Sequence, residues 1–157
     1  MENEIDLGHW HLCDSLQLPE DFFDNQPLGF IYRITDKESG KFYIGQKKMQ
    51  KKVTRPPLKG KVRKRRLVKE SDWKTYTSSS NELNRDIEEY GLDRFNFEIL
   101  EFCYDKWSLS YWELWWQLHD NVMFRYDSYN GIINVRLSKF KSIIEKYKDD
   151  KRILRST

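Results

Sequence analysis

The stretch 29–45 constrains the fold more than any other part of the chain. GFIYRIT (29–35) alternates bulky and polar side chains, Asp36-Lys-Glu-Ser-Gly40 carries turn chemistry, and KFYIG (41–45) resumes the strand pattern. Two such runs so close together predict a β-hairpin over 29–46, with Gly40 suited to a positive φ. Further on, Ser78-Ser-Ser-Asn81 opens a helix over 81–90, with Leu83 and Ile87 on one face and Gly91 as its stop. Alternation returns over 95–102, where Phe95, Phe97 and Ile99 oppose Asn96 and Glu98, and this predicts a third strand. A Trp- and Leu-rich helix follows at 109–122, then a turn at Tyr129-Asn130-Gly131 and a short extended piece at 132–137. Ser138 is the expected cap of a last helix over 140–148, with Ile143, Ile144 and Tyr147 toward the body. This order predicts an α+β fold, a small three-stranded antiparallel sheet flanked by helices.

Composition matters here for its distribution. The 157 residues hold 6 Trp, 9 Tyr and 9 Phe, enough aromatic surface to bury a core although 34% of the chain is charged. No apolar run reaches the length of a membrane helix, and the acidic start lacks the basic and apolar regions of a signal peptide. Cys13 and Cys103 make neither a disulfide framework nor a four-ligand zinc site, and His9, His11 and Cys13 lack a nearby fourth ligand. A cytoplasmic protein is the expectation.

The net charge of +3 conceals a segregation. Residues 1–26 carry seven acids and no Lys or Arg, whereas 47–69 carry twelve bases and no acid. Twelve like charges in one segment imply an acidic partner, and double-stranded DNA is the expected one. The segment 46–71, broken by Pro56, Pro57 and Gly60, reads as a long loop or arm ordered by its ligand. Lys47, Lys48, Lys59, Lys61, Lys64 and Lys69 are its candidate phosphate contacts. Three regions follow: an acidic arm (1–28), a central domain (29–137) with this basic insertion, and a C-terminal helix and tail (138–157). The acidic arm has two readings, a solvated tail or an intramolecular DNA mimic resting near the basic segment with Phe22 and Phe23 as anchors.

Tyr32 and Tyr43 lie on the paired strands of the hairpin and can meet on one face. Cationic surroundings lower the pKa of a phenol, and the basic segment starts just beyond Gly45. Glu113, within Tyr111-Trp-Glu-Leu-Trp-Trp116, is a lone carboxylate among aromatics, a place where a hard cation is a plausible partner. Gly29-Phe-Ile-Tyr32 followed by Tyr43-Ile-Gly45 resembles the signature of the GIY-YIG nucleases. The helix and strand of 78–101, Tyr111-Trp-Glu113, and the closing Asn130-Gly-Ile-Ile-Asn134 extend the resemblance to phage homing-type members over about 29–137. One glycine is displaced, since the first triplet reads Phe-Ile-Tyr.

The resemblance implies a metal-dependent endonuclease that hydrolyses DNA phosphodiesters. Tyr32 would accept the proton of the attacking water, directly or through a neighbour, and Tyr43 would position that water or a phosphate oxygen. Glu113 would hold Mg²⁺ or Mn²⁺, and Asn134 would hydrogen-bond within the site. The family's catalytic arginine falls in the basic segment, with Arg63, Arg65 and Arg66 as alternatives. The residues after Leu137 are too few for a separate DNA-recognition domain, so specificity is expected from the arm or from dimerisation. The other reading is a nucleic-acid-binding protein with a decayed nuclease site.

Overall fold

The structure, a computed structural model, describes residues 5–153; Glu2, Glu4 and the tail 154–157 lie outside the described residues. The chain runs through β1 (His11–Leu12), β2 (Gly29–Asp36), β3 (Phe42–Lys48), β4 (Gln50–Arg55), β5 (Arg65–Glu70), α1 (Asn81–Tyr90), β6 (Phe95–Cys103), α2 (Lys106–His119) and α3 (Lys141–Tyr147). The predicted hairpin is β2–β3, antiparallel from Gly29↔Lys48 to Thr35↔Phe42. Asp36 shapes its turn: its carboxylate accepts the Glu38 N–H at 3.0 Å, and Gly40 takes φ 77°. Arg94 holds the same carboxylate at 2.7 and 2.9 Å, tying the hairpin to the start of β6.

β6 lies antiparallel to β2, which puts β2 at the centre of the predicted three strands. The sheet also has a fourth strand that the sequence pattern does not predict. β1, from the acidic arm, adds to β6 in parallel, giving the order β1-β6-β2-β3. Its two residues are too few to show any alternation in sequence. The basic segment also differs from the expected loop. Residues 50–55 and 65–70 form a separate two-stranded ribbon, β4–β5, and Pro56, Pro57 and Gly60 fall in its connecting loop. Cations and other polar residues fill most of its positions, with Val53, Leu67 and Val68 its only apolar residues, so it does not read as a core strand. Residues 132–137 form no strand.

The sheet separates two apolar layers. Phe30, Tyr32 and Ile34 pack with Trp10, Trp73, Phe97, Leu83 and Ile87 on one face. Ile31, Phe42 and Ile44 pack with Leu109 and Trp112 of α2 on the other. Helix α1 begins as predicted, with the Ser80 side chain accepting the Leu83 N–H, and ends at Gly91 (φ 88°). Helix α2 begins one turn earlier than predicted because Asp105 caps it, accepting the Ser108 N–H at 2.7 Å. Ser138 does not cap α3; its carbonyl accepts the Trp107 indole N–H, and Ile144 is exposed. Among the described residues no helix is long and apolar enough to cross a membrane.

The arm from residue 5 onward belongs to the body. Trp10 is buried and donates its indole N–H to the Trp73 carbonyl at 2.6 Å, while the His9 ring stacks on Phe97 at 3.9 Å and bonds the Tyr76 carbonyl. Phe22 is an anchor at 4% exposure, but Phe23 is 71% exposed. Asp14, Glu20, Asp21 and Asp24 are exposed, and among the described residues none forms an ion pair with the ribbon. The resting-state contact expected of a DNA mimic is therefore not seen.

The Asp36–Arg94 pair generates the first prediction. Arg94 holds the Asp36 carboxyl far below the ordinary carboxylate value of 3.8. Its stabilisation is complete above that pH and is lost as acid protonates the folded-state carboxylate. Asp36→Asn should destabilise the fold at pH 7, because it removes the carboxylate that joins the hairpin turn to Arg94. Urea melts should show this difference shrinking below pH 4; a constant difference would contradict it.

Candidate active site

The register of β2 and β3 builds the site. Tyr32 stands opposite Gly45, Ile34 opposite Tyr43 and Phe30 opposite Lys47. With a side-chain period of two, Tyr43, Gly45 and Lys47 share one face with Tyr32. The tyrosine rings lie 6.1 Å apart, centre to centre. Gly45 is what lets them meet, since a Cβ there would fall 2.6 Å from the Tyr32 hydroxyl oxygen and 2.8 Å from a Tyr43 ring carbon. A third ring completes the group: Tyr76 lies 6.1 Å from Tyr32, edge to face, and its hydroxyl helps to keep the Tyr32 phenol protonated. The Tyr43 hydroxyl pairs with the Ser79 hydroxyl at 3.3 Å.

Glu113 reaches this group from α2, which packs on the opposite face and borders β3. Gln46 fixes its carboxylate by hydrogen bonds from its backbone and side chain. Among the described residues it has no cationic partner, and burial pushes its pKa up to about 7 despite those bonds. Its charge is felt by both tyrosines. The Tyr32 phenol is held well above its ordinary value of 10, first by burial and then by Tyr43, Tyr76 and Glu113. The Tyr43 phenol is also raised, chiefly by burial. The expected lowering by cations does not occur, because the ribbon carries its charge away from these rings.

The edge of β3 is closed by the turn after α2. Asn130 is buried; its side-chain oxygen accepts the Ile44 N–H at 3.0 Å, and its NH₂ donates to the Ile44 carbonyl at 2.8 Å. Gln117 of α2 donates to that carbonyl too. One side chain thus imitates a neighbouring strand and holds the segment between Tyr43 and Gly45. Asn134, the residue expected to bond in the site, is exposed. The closing motif works through its first asparagine.

The structure does not bring Arg63, Arg65 and Arg66 to the tyrosines. Arg65 pairs with Arg55 and Arg66 with Thr54 at the end of the ribbon remote from its Gln50↔Glu70 base. Four or five residues at about 3.3 Å each place them roughly 15 Å out from that base. Lys59, Lys61 and Lys64 lie in the exposed loop beyond, and Lys69 on β5. Lys51 stands opposite Lys69, and Arg55 opposite Arg65. Like charges directly opposed on a ribbon are unfavourable without counter-charge. Lys47 and Lys48 separate: Lys48 is exposed, whereas the Lys47 ammonium lies 4.0 Å above the centre of the Tyr76 ring and 2.7 Å from the Asp72 carboxylate. Tyr76, Ser79 and Gln46 were not legible as site residues; Asn130 was legible only as the start of the closing motif, and Lys47 only as one candidate phosphate contact of the basic segment.

A prediction follows from Glu113. With a folded pKa near 7 against an ordinary 4.5, the folded protein holds the extra proton between those values. The stability contribution of this group therefore falls as pH rises through that window. Glu113→Gln should be more stable relative to wild type at pH 8 than at pH 5 in thermal melts. An identical pH dependence of the two proteins would contradict the raised pKa.

Residues 13–133 match a family model described as "Putative endonuclease segE, GIY-YIG domain". No curated protein and no solved structure gives a significant match. The matched span covers the tyrosine hairpin, the ribbon, Glu113 and Asn130, well over half of the sequence. The chain belongs to the segE-type GIY-YIG endonuclease-domain family.

Proposed function

We propose that the protein is a divalent-metal-dependent DNA endonuclease of the phage homing type. The reading is carried by the convergence of Tyr32, Tyr43 and Glu113 on one site, with Gly45 cleared to admit the Tyr32 hydroxyl. Glu113 suits a hard cation: its carboxylate is partly desolvated, is oriented by Gln46 and has no cationic partner among the described residues. No cluster of three His, Cys, Asp or Glu groups occurs among the described residues. That fits Mg²⁺ or Mn²⁺, since Mg²⁺ keeps several waters and needs only one or two carboxylates beside substrate phosphate. An ion held by Glu113 would supply charge neutralisation to the scissile phosphate.

The remaining chemistry falls to the chain. As the water oxygen bonds to phosphorus, the bond from phosphorus to the leaving oxygen breaks. The Tyr32 phenol stays neutral at pH 7, so it acts as a relay and not as a resident phenolate. It takes the water's proton while passing its own to Tyr76, and the half-buried Tyr76 returns a proton to solvent. Tyr43, oriented by Ser79, directs a hydroxyl toward the water or a phosphate oxygen. The departing oxygen is protonated from solvent. The β4–β5 ribbon holds the duplex by its phosphates.

The decayed-site reading draws support from one observation, the distance of Arg63, Arg65 and Arg66 from the tyrosines. Plasmid cleavage with Mg²⁺ against EDTA separates the two. Wild type should cut only with metal. Glu113→Ala should lose several orders of magnitude while still binding DNA, and Tyr32→Phe about a hundredfold or more. Binding without cleavage by wild type in Mg²⁺ and Mn²⁺ would favour the binding protein.

The ribbon carries its own prediction. Neutralising Lys59, Lys61, Lys64 and Lys69 should weaken binding alike on all sequences. The slope of log K against log salt should become shallower by up to about 0.9 for each phosphate that is no longer neutralised. An unchanged slope would move the phosphate-binding surface elsewhere.

A further inference from the structure

The tyrosine site holds two neutral phenols and one carboxylate, and the phosphorane transition state of phosphodiester hydrolysis is anionic. Beside a divalent ion held by Glu113, a fixed cation on the tyrosine face would stabilise it further. Arg63, Arg65 and Arg66 stand at the far end of an exposed ribbon. Lys47 is on the face itself, two residues beyond Gly45 on β3 and opposite Phe30. Its side chain is only 18% exposed. Its ammonium sits over Tyr76, the ring that touches Tyr32. Among the described residues it is the only one of the twelve bases of 47–69 in an ion pair, and its partner Asp72 is 72% exposed.

We propose that Lys47 is the catalytic cation of this nuclease, contacting a non-bridging oxygen of the scissile phosphate, while the arginines of the ribbon serve binding alone. The assignment rests on the endonuclease reading above. Its neighbours suit the task. The Tyr76 face attracts the ammonium without neutralising it, and the ring limits its travel toward solvent. Asp72 is a solvated counter-ion, so exchanging it for a phosphate oxygen costs little desolvation. Asp72 also directly follows Ser71, whose N–H and hydroxyl bond the Met49 and Lys48 carbonyls at the base of the ribbon. Lys47 and its counter-ion therefore flank the two ends of the DNA-holding element. Lys48, next in sequence, is exposed and on the other side of the strand, so the two lysines are not equivalent.

The test separates rate from affinity. Single-turnover cleavage is measured at saturating duplex with Mg²⁺, and DNA affinity in EDTA. Lys47→Met keeps the aliphatic stem and removes the charge, and Lys47→Arg restores a cation. Lys47→Met should slow the saturated rate by roughly 10²–10³, the scale for losing one transition-state donor. Its affinity should fall by no more than about tenfold, as for one phosphate contact. Lys47→Arg should recover most of the rate, which a merely structural role for the side chain would not predict if both variants melt like wild type. Arg63→Gln/Arg65→Gln/Arg66→Gln should weaken binding and flatten its salt dependence. A Lys47→Met protein that cuts at the wild-type rate overturns the assignment. A wild-type chain that cuts nothing in Mg²⁺ or Mn²⁺ removes the endonuclease reading and the assignment together. An active wild type beside an equally active Lys47→Met removes the assignment alone.

Discussion

The Tyr32 hydroxyl lies directly over the α-carbon of Gly45, and the geometry of the site depends on that approach. With 2.6 Å between the phenol oxygen and a virtual Cβ, no side chain fits at position 45 without moving the ring. The glycine is therefore required by space and not by a positive φ. Because Tyr32 is 1% exposed and wedged between Trp10, Tyr43 and Tyr76, its position is set by packing. A phenol so enclosed loses solvation if it ionises, which is why it stays neutral. Sheet register, ring packing and acidity thus share one cause.

The two sides of β3 have different duties. Inward, it pairs with β2 and aligns Tyr43, Gly45 and Lys47 on the aromatic face. Outward, its free edge would invite another strand, and the 127–130 segment closes it. Phe42 N–H donates to the Asp127 carbonyl, Tyr129 N–H donates to the Phe42 carbonyl, and Asn130 serves both polar groups of Ile44. Helix α2 meets the same edge through Gln117 and brings Glu113 to Gln46. The carboxylate is thereby delivered to the border of the tyrosine face by a helix that packs on the other one.

What could be read from sequence tracks how local the cause is. The β2–β3 hairpin, α1 with its Ser80 cap and Gly91 stop, and β6 are each specified by alternation or capping within a few residues, and all were legible. The ribbon was not, because Lys51, Lys69, Arg55 and Arg65 occupy positions where a strand normally shows hydrophobic residues, and Pro56-Pro57 masked the pairing. β1 owes its existence to Trp10 and His9 docking on Trp73, Tyr76 and Phe97, contacts separated by more than sixty residues. In the site, Tyr32, Tyr43 and Glu113 carried recognisable spacing. Tyr76 and Lys47 did not, since nothing in a Lys-rich run distinguishes the one lysine that faces an aromatic ring. Asn130 and Asn134 were separated only by burial.

Charge distribution joins the site to its binding element. Opposed Lys and Arg pairs make the ribbon unfavourable as an isolated hairpin, and no core covers it. Its position is set at its base, where buried Met49 bonds the Leu28 carbonyl by its N–H and the Ser71 N–H by its carbonyl. Two residues before Met49 is Lys47, and one after Ser71 is Asp72. On the proposed reading, a duplex seated on the ribbon would supply the missing counter-charge and bring phosphates to the strand ends where that ion pair sits. The anion that relieves repulsion along β4–β5 is the same kind of group that competes with Asp72 for the Lys47 ammonium. On the proposed reading, binding and chemistry would be joined through this short, hydrogen-bonded stretch of backbone.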